Sequence, residues 1–310
     1  MLYRKMLIYP SDGYFKDISE LQPPRRSTIR IHVILFIATI FTTTAVGAIM
    51  WANMRGGDPF TISGFVKGFP FSLTILSILG IHEFAHYYTA RRWGIQVTLP
   101  YFIPAPILPI GTFGAVIKMK STIPTRKALI DVGASGPIAG FLVALVACII
   151  GLHMSQVVPV ETHGNFTGYI LGESILFKLL IFFILGPGQE NHMILLHPVA
   201  YAGWIGLFVT ALNLIPIGQL DGGHVLFALS PQIHDLIRRI RLPVLILLGF
   251  TFWSGWYVWA MLSLFFFGRS HPYPDRMDSF IGVKRKIIAF IAILLFILCI
   301  TPTPIEISLS

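Results

Sequence analysis

The chain of 310 residues is 55% hydrophobic and only 12% charged, with a mean hydropathy of +0.74. Soluble globular domains carry about twice that share of charged residues, so the composition excludes an ordinary soluble protein and predicts one polytopic membrane unit. The net charge of +9 does not indicate nucleic-acid binding, because the Lys and Arg residues cluster beside apolar runs.

Apolar segments of spanning length follow one another along the chain. A transmembrane helix needs about 20 mainly apolar residues. The predicted spans, of which the last is the shortest, are 31–52, 69–93, 128–152, 194–217, 243–267 and 287–302. A further run, 175–185, is too short to span comfortably and favours a re-entrant or interfacial helix. The predicted fold is an all-α polytopic membrane protein with about six transmembrane helices, a three-helix catalytic core and a short membrane-associated β-hairpin or re-entrant element.

Basic residues predict the orientation of these segments. Lys and Arg are frequent in residues 1–30 and 91–127, which should therefore be cytoplasmic, while the loops 53–68 and 153–174 should face outward. A single crossing at 243–267 would place Arg269, Arg276 and the basic residues 284–286 outside. The topology after residue 242 therefore stays open, with a kinked or hairpin element as the alternative.

The second segment contains three ionisable residues in the sequence HEFAH. His82 and His86 are four residues apart, so on a helix they project from one face and can bind one metal ion. Glu83 lies beside that ion, where it can take a proton from water and return it to a leaving amine. Ionisable residues inside a membrane are costly and indicate function. The spacing predicts a catalytic zinc site roughly 8–14 Å below the cytoplasmic surface.

A catalytic zinc ion usually has three protein ligands, so a third must come from elsewhere in the chain. Acidic residues in or near the apolar segments are few: Asp131, Glu173 and Asp221. Asp131 is interpreted as a helix-start residue that favours the dipole, and Glu173 as part of the outer loop region. Asp221 is the preferred ligand, because the Pro and Gly residues of NLIPIGQLDGGH should unwind the chain there. His224 is an alternative ligand or supporting residue.

The HEFAH motif, together with Asn213, Pro216, Leu220, Asp221 and Gly222, resembles the site-2 protease family of intramembrane zinc metalloproteases, peptidase family M50. The second motif matches that family's NxxPxxxLDG pattern at every fixed position. The similarity extends through GTFGAVIKM (111–119) and GASGP (133–137), and so covers roughly residues 70–225. It implies that His82, His86 and Asp221 bind one Zn²⁺ per chain and that Glu83 is the catalytic acid and base.

Other residues of these motifs are candidates for handling a substrate. Asn213 is predicted to hydrogen-bond the substrate or the oxyanion, with an interhelical hydrogen bond as the alternative. The β-rich stretch GTFGAVIKMK, which contains Gly111 and Gly114, is predicted to add an unwound substrate as an edge strand. The alternative is a re-entrant hairpin that plugs the bundle. GASGPIAG is interpreted as a small-residue packing face.

The predicted organisation follows from these motifs. A cytoplasmic segment 1–30 precedes a first transmembrane helix with its outer loop, 31–68. The catalytic membrane core is 69–226, built on three helices, and 227–310 forms the C-terminal transmembrane helices.

The predicted function is regulated intramembrane proteolysis by a multi-pass protein, in the inner membrane of a bacterium or in an organellar membrane of a eukaryote. Its partners are a transmembrane protein substrate and the lipid bilayer, and cleavage is expected toward the cytoplasmic side. A metal transporter or metal-sensing channel is the main alternative, although it does not need Glu83 as a base. A pseudoprotease is the third reading, against which the intact ligands and Glu83 argue.

Overall fold

The computed structural model describes residues 26–159, 168–188, 192–265, 274, 277 and 280–308. The described chain is mostly helical. Its helices are α1 (Arg26–Arg55), α2 (Ile62–Arg92), α3 (Arg126–His153), α4 (Ile175–Leu185), α5 (Pro198–Leu214), α6 (Asp221–Leu229), α7 (Pro231–Thr251), α8 (Gly255–Phe265) and α9 (Gly282–Cys299). Its strands are β1 (Tyr101–Pro104), β2 (Thr112–Val116), β3 (Gln156–Pro159), β4 (Gly168–Leu171), β5 (His192–Leu195) and β6 (Ile305–Ser308). Most of the predicted segment 1–30 lies outside the described residues.

Helices α1, α2 and α3 are long and apolar enough to cross a membrane. They confirm the first three predicted spans and extend beyond them. The start of α2 lies seven residues earlier than predicted, because the side chain of Thr61 accepts a hydrogen bond from the Gly64 N–H and caps the helix. The outer loop predicted over 53–68 is therefore much shorter, since α1 continues to Arg55 and α2 begins at Ile62.

The later predicted spans are shorter or interrupted. Within 194–217, α5 has 17 residues, because its first predicted residues belong to β5. The segment 243–267 is not one helix: α7 ends at Thr251, and α8 begins at Gly255. The last segment corresponds to α9, of 18 residues. The short helix predicted at 175–185 is confirmed with the same bounds. By length and composition, three described helices qualify as spans, so six are not confirmed.

The interrupted segment forms a hairpin that leaves one end of the bundle and returns to it. The Arg126 guanidinium, at the start of α3, donates to the carbonyls of Ala228 and Leu229 and also to that of Met277. The chain therefore passes the start of α3 both before α7 and after α8. Arg285 of α9 pairs with Asp131 at the same end of the bundle. The predicted positions Arg269 and Arg276 lie outside the described residues.

The described residues also form three small sheets, of which one is the predicted β-hairpin element and the other two are not predicted from the sequence. β1 pairs antiparallel with β2, so the predicted β-rich stretch is one strand of a hairpin. β3 pairs with β5, and β4 pairs with the C-terminal β6. Both latter sheets lie beyond the C-terminal end of α3, and β4–β6 is fastened by the Trp204 indole N–H, which donates to the Gly172 carbonyl.

Helix α3 occupies the centre of the bundle and packs against α2, α5, α6 and α9. Small residues allow the close crossings: a Cβ added to Gly151 would lie 2.8 Å from the Ala200 Cβ. Close backbone approach through small residues is how helices associate where the surrounding solvent is apolar. Because α2 and α6 both lie against α3, their polar residues are brought to one place.

Candidate metal centre

The two histidines of HEFAH lie on one buried face of α2. His82 and His86 are each 6% exposed, and their Nε2 atoms are 3.0 Å apart. A spacing of four residues places both side chains on the same side of the helix, one above the other. The predicted pair of metal ligands is therefore assembled by α2 alone.

Asp221 is brought to this pair by the break between α5 and α6. The chain turns after α5 with Gly218 in the left-handed region (φ +56°), and α6 begins at Asp221 itself. Gly222 packs so closely on the end of α5 that a Cβ there would lie 2.9 Å from the Leu214 Cα. The Asp221 Oδ2 lies 3.3 Å from the His82 Nε2 and 3.2 Å from the His86 Nε2.

This donor set fits a zinc ion. Bonds of about 2.0–2.1 Å in a tetrahedral arrangement require neighbouring ligand atoms about 3.3–3.4 Å apart. The distances of 3.0, 3.3 and 3.2 Å among the two Nε2 atoms and Oδ2 approach that triangle. Among the described residues, these three form the group of His, Cys, Asp and Glu side chains that can hold a metal ion.

Helix α3 fixes the orientation of the His86 ring. The His86 Nδ1 lies 2.8 Å from the carbonyl oxygen of Val132, to which it donates a hydrogen bond. This bond places the proton on Nδ1 and leaves the Nε2 lone pair for a metal ion. The opposing residues are glycines: a Cβ on Gly136 would lie 2.6 Å from the His86 Cε1 and closer still to Nε2, and one on Gly140 would lie 3.2 Å from the His82 Nδ1. The GASGPIAG face therefore packs directly against the two histidines.

Glu83 lies beside the His82, His86 and Asp221 group and is not part of it. Its Oε1 is 4.0 Å from the His82 Nε2, and its side chain is 12% exposed. Its Oε2 accepts a hydrogen bond of 3.0 Å from the backbone N–H of Ile117, the residue after β2. The Glu83 carboxylate is thus held between the histidine-bearing face of α2 and the hairpin.

The other predicted site residues differ in their surroundings. Gly111 packs against α1, and its carbonyl accepts from the Thr42 hydroxyl. Gly114 lies in β2 with φ +100°, and a Cβ there would meet open space. Asn213 is in the last turn of α5, partly buried, with no hydrogen bond from its amide to any residue that the structure describes. His224 packs against α3 near Gly133 and is outside the group of three side chains that can hold a metal ion.

A second polar cluster lies near the site and includes Asp131, which the sequence analysis assigns to a helix start. Asp131 is the sixth residue of α3 and not its first, and Arg285 donates to both of its carboxylate oxygens, at 2.8–3.1 Å. The Trp93 indole N–H donates to the same carboxylate at 3.2 Å. The cluster joins the end of α2, the start of α3 and the start of α9, one residue from the Val132 carbonyl that holds His86. The sequence signal for this cluster is an acidic residue, Asp131, in an apolar helix. Its partner Arg285 cannot be identified from the sequence, because it lies 154 residues further along the chain.

Comparison with known proteins identifies a peptidase family and several relatives. Residues 70–252 match peptidase family M50. The chain is similar to the probable zinc metalloprotease EGY2, chloroplastic, of Oryza sativa subsp. indica, with 31% identity over 228 residues, which is 73% of this chain and 41% of the relative. It is also similar to the probable zinc metalloprotease EGY1, chloroplastic, of Arabidopsis thaliana, with 26% identity over 93% of this chain and 55% of the relative. The chain thus spans about half the length of these relatives or less.

Proposed function

The chain belongs to peptidase family M50, and on that premise we propose that it is a zinc-dependent endopeptidase that cleaves transmembrane segments of other membrane proteins. The observation that carries the proposal is the convergence of His82, His86 and Asp221 beside Glu83 inside an apolar helical bundle. Ionisable groups in such surroundings cost folding free energy, so their presence there indicates a function.

We assign the metal ligands to the His82 Nε2, the His86 Nε2 and the Asp221 Oδ2. A zinc ion held there would polarise the scissile carbonyl and make a water molecule reactive at neutral pH. The Val132 carbonyl keeps His86 in the tautomer that can bind the ion. We assign to Glu83 the transfer of a proton from that water to the leaving amine.

The position of β2 supports the predicted handling of the substrate. The Thr98 N–H donates to the Lys118 carbonyl, so the backbone groups of Lys118 face the segment that leads into β1. Backbone groups of neighbouring residues in a strand face opposite sides, and the Ile117 N–H accordingly faces Glu83. The open edge of β2 is thus beside the catalytic carboxylate, where a strand of unwound substrate can pair with it. Gly114 and Asn213 are the residues we propose to contact that strand.

We propose a multi-pass location in the membrane, with a transmembrane protein as substrate. The histidine pair is nearer the end of α2 that carries Arg91 and Arg92 than the end at Ile62. Cleavage is therefore expected toward the cytoplasmic side of the substrate's span, with one product released into the cytoplasm.

The proposal is tested with the purified protein in liposomes that contain a single-span test substrate. Cleavage is expected to stop when a zinc chelator is added and to return when zinc is restored, because the three ligands hold the ion that the reaction needs. The control is the same substrate in liposomes without the protease. Zinc transport across the liposome membrane in the absence of any cleavage would contradict the proposal and favour the transporter.

Arg285→Gln is expected to weaken zinc binding about tenfold, although Arg285 is not a ligand. Supporting residues around metal ligands typically change affinity 10–100-fold when replaced. Arg285 holds Asp131, which precedes the carbonyl that orients His86. Zinc retention is measured by competition with a fluorescent chelator. Lys284→Gln, on the exposed side of the same helix turn, removes the same charge and should leave zinc affinity unchanged; equal losses in both variants would contradict a specific role for Arg285.

A further inference from the structure

The β1–β2 hairpin is too small to set its own position. Its strands have four and five residues, and the pairing is irregular between Phe102 and Pro104. A two-stranded hairpin is at best marginally stable by itself. Yet the hairpin places the Ile117 N–H 3.0 Å from the Glu83 carboxylate, so another element must hold it.

Helix α1 supplies this support at the start of the hairpin. His32 is buried, and its Nδ1 donates to the carbonyl of Pro100 at 3.0 Å, just before β1. The His32 ring also lies 3.9 Å from that of Tyr101, centroid to centroid. One turn further along α1, Phe36 packs edge-on against Phe102 at 4.9 Å. These contacts fix β1 from one face of the helix.

The same helix holds the start of β2. The Thr42 hydroxyl donates to the carbonyl of Gly111 at 2.7 Å, across 69 residues of chain. The two backbones are so close that a Cβ on Gly111 would lie 2.7 Å from the Thr42 carbonyl oxygen. Gly111 has φ +74°, a conformation that favours glycine. Both this conformation and the close contact with Thr42 therefore require a residue without a side chain.

Helix α1 is in turn fixed to the helix that carries the histidines. The hydroxyls of Thr43 and Ser72 are 2.6 Å apart, and both residues are fully buried. About one turn further along α1, a Cβ on Gly47 would lie 2.8 Å from the Phe71 Cβ. α1 therefore connects α2 and the hairpin, although it lies before the region 70–252 that matches the family.

We propose that α1 is a positioning element for substrate binding, in which His32 and Thr42 hold the hairpin so that the open edge of β2 faces Glu83. The inference rests on the proposed function, because it concerns how the substrate strand is placed. His32 and Thr42 touch neither the metal ligands nor Glu83 in the structure, and they act through the hairpin. Their loss should disturb substrate binding and the choice of peptide bond, and leave zinc in place.

Thr42→Val tests this directly, since it keeps the shape of the side chain and removes the donor to Gly111. Its efficiency of cleavage, kcat/KM, is expected to fall about three- to tenfold, mainly through a higher KM, as is typical when one hydrogen bond is lost. Cleavage should also spread to neighbouring peptide bonds, which is read by mass spectrometry of the products. Zinc content should remain at the wild-type level. Thr42→Ser, which keeps the donor, should restore both properties.

The matched control is Thr39→Val. Thr39 is fully buried, whereas Thr42 is partly buried, and among the described residues the Thr39 hydroxyl donates only to the Leu35 carbonyl within α1. The Thr39→Val variant should therefore have the wild-type KM and cleave the substrate at a single position. If Thr42→Val behaves as Thr39→Val does, or if Thr42→Ser fails to restore it, the positioning role is wrong. Failure of the wild-type protein to cleave any substrate would instead contradict the proposed function, so the two failures are distinguishable.

Discussion

Replacing Gly136 with alanine is expected to abolish zinc binding and, with it, all peptidase activity. A Cβ at this position would lie 2.6 Å from the His86 Cε1 and closer still to the ligand atom Nε2. The ring cannot move aside easily, because its Nδ1 is hydrogen-bonded to the Val132 carbonyl on the same helix. Overpacking of a buried site forces side chains from their rotamers or shifts the backbone, and either change separates the three ligands. Zinc per chain, measured by metal analysis of the purified protein, should fall to background.

Two other glycines near the site provide graded comparisons. A Cβ on Gly140 would lie 3.2 Å from the His82 Nδ1, so Gly140→Ala should weaken zinc binding without abolishing it. A Cβ on Gly80 would lie 3.6 Å from the Phe102 ring, an ordinary contact, so Gly80→Ala should keep zinc and activity. All variants should first show the wild-type helical circular dichroism in detergent. A folded Gly136→Ala protein with one zinc per chain would show that α3 does not set the width of the site.

The part of the site that sequence predicts best is the part that is local. HEFAH needs only the helical period to bring His82 and His86 together, and the structure has them 3.0 Å apart at Nε2. The proline and glycines around Pro216 predict a break that lets Asp221 turn toward a site. This prediction is also local, because these residues interrupt a helix whatever its tertiary contacts are. The short apolar helix 175–185 was likewise predicted from its length alone.

What sequence missed depends on residues that are far apart in the chain. Nothing in the neighbourhood of Asp131 indicates Arg285 as its partner, and the pairing of β4 with β6 joins residues that are more than 130 positions apart. The kinked or hairpin alternative for 243–267 is confirmed, but the position of the break after Thr251 could not be predicted, since both halves of the segment are apolar and no proline marks the break. The role of α1 was missed because His32 and Thr42 look like ordinary residues of a transmembrane helix until the hairpin is placed against them.

Replacing Glu83 with glutamine is expected to abolish cleavage while zinc stays bound. Glutamine is close to glutamate in size, and its amide oxygen can still accept the hydrogen bond from the Ile117 N–H. The amide cannot take a proton from water or return one to the leaving amine. Removal of such a general acid and base typically lowers the rate by about a hundredfold to ten-thousandfold. Cleavage of the single-span substrate in liposomes should therefore fall below detection or close to it.

The comparison with Asp221→Ala separates chemistry from metal binding. Asp221→Ala removes one of the three proposed ligands, whose Oδ2 lies 3.2 Å from the His86 Nε2, and should lose both zinc and cleavage. Glu83→Gln should lose cleavage alone, because its carboxylate is 4.0 Å from the nearest ligand nitrogen and is not needed to hold the ion. Metal analysis and product formation are measured on the same samples. Cleavage that persists in Glu83→Gln would exclude Glu83 as the base, and zinc that persists at one per chain in Asp221→Ala would exclude Asp221 as a ligand.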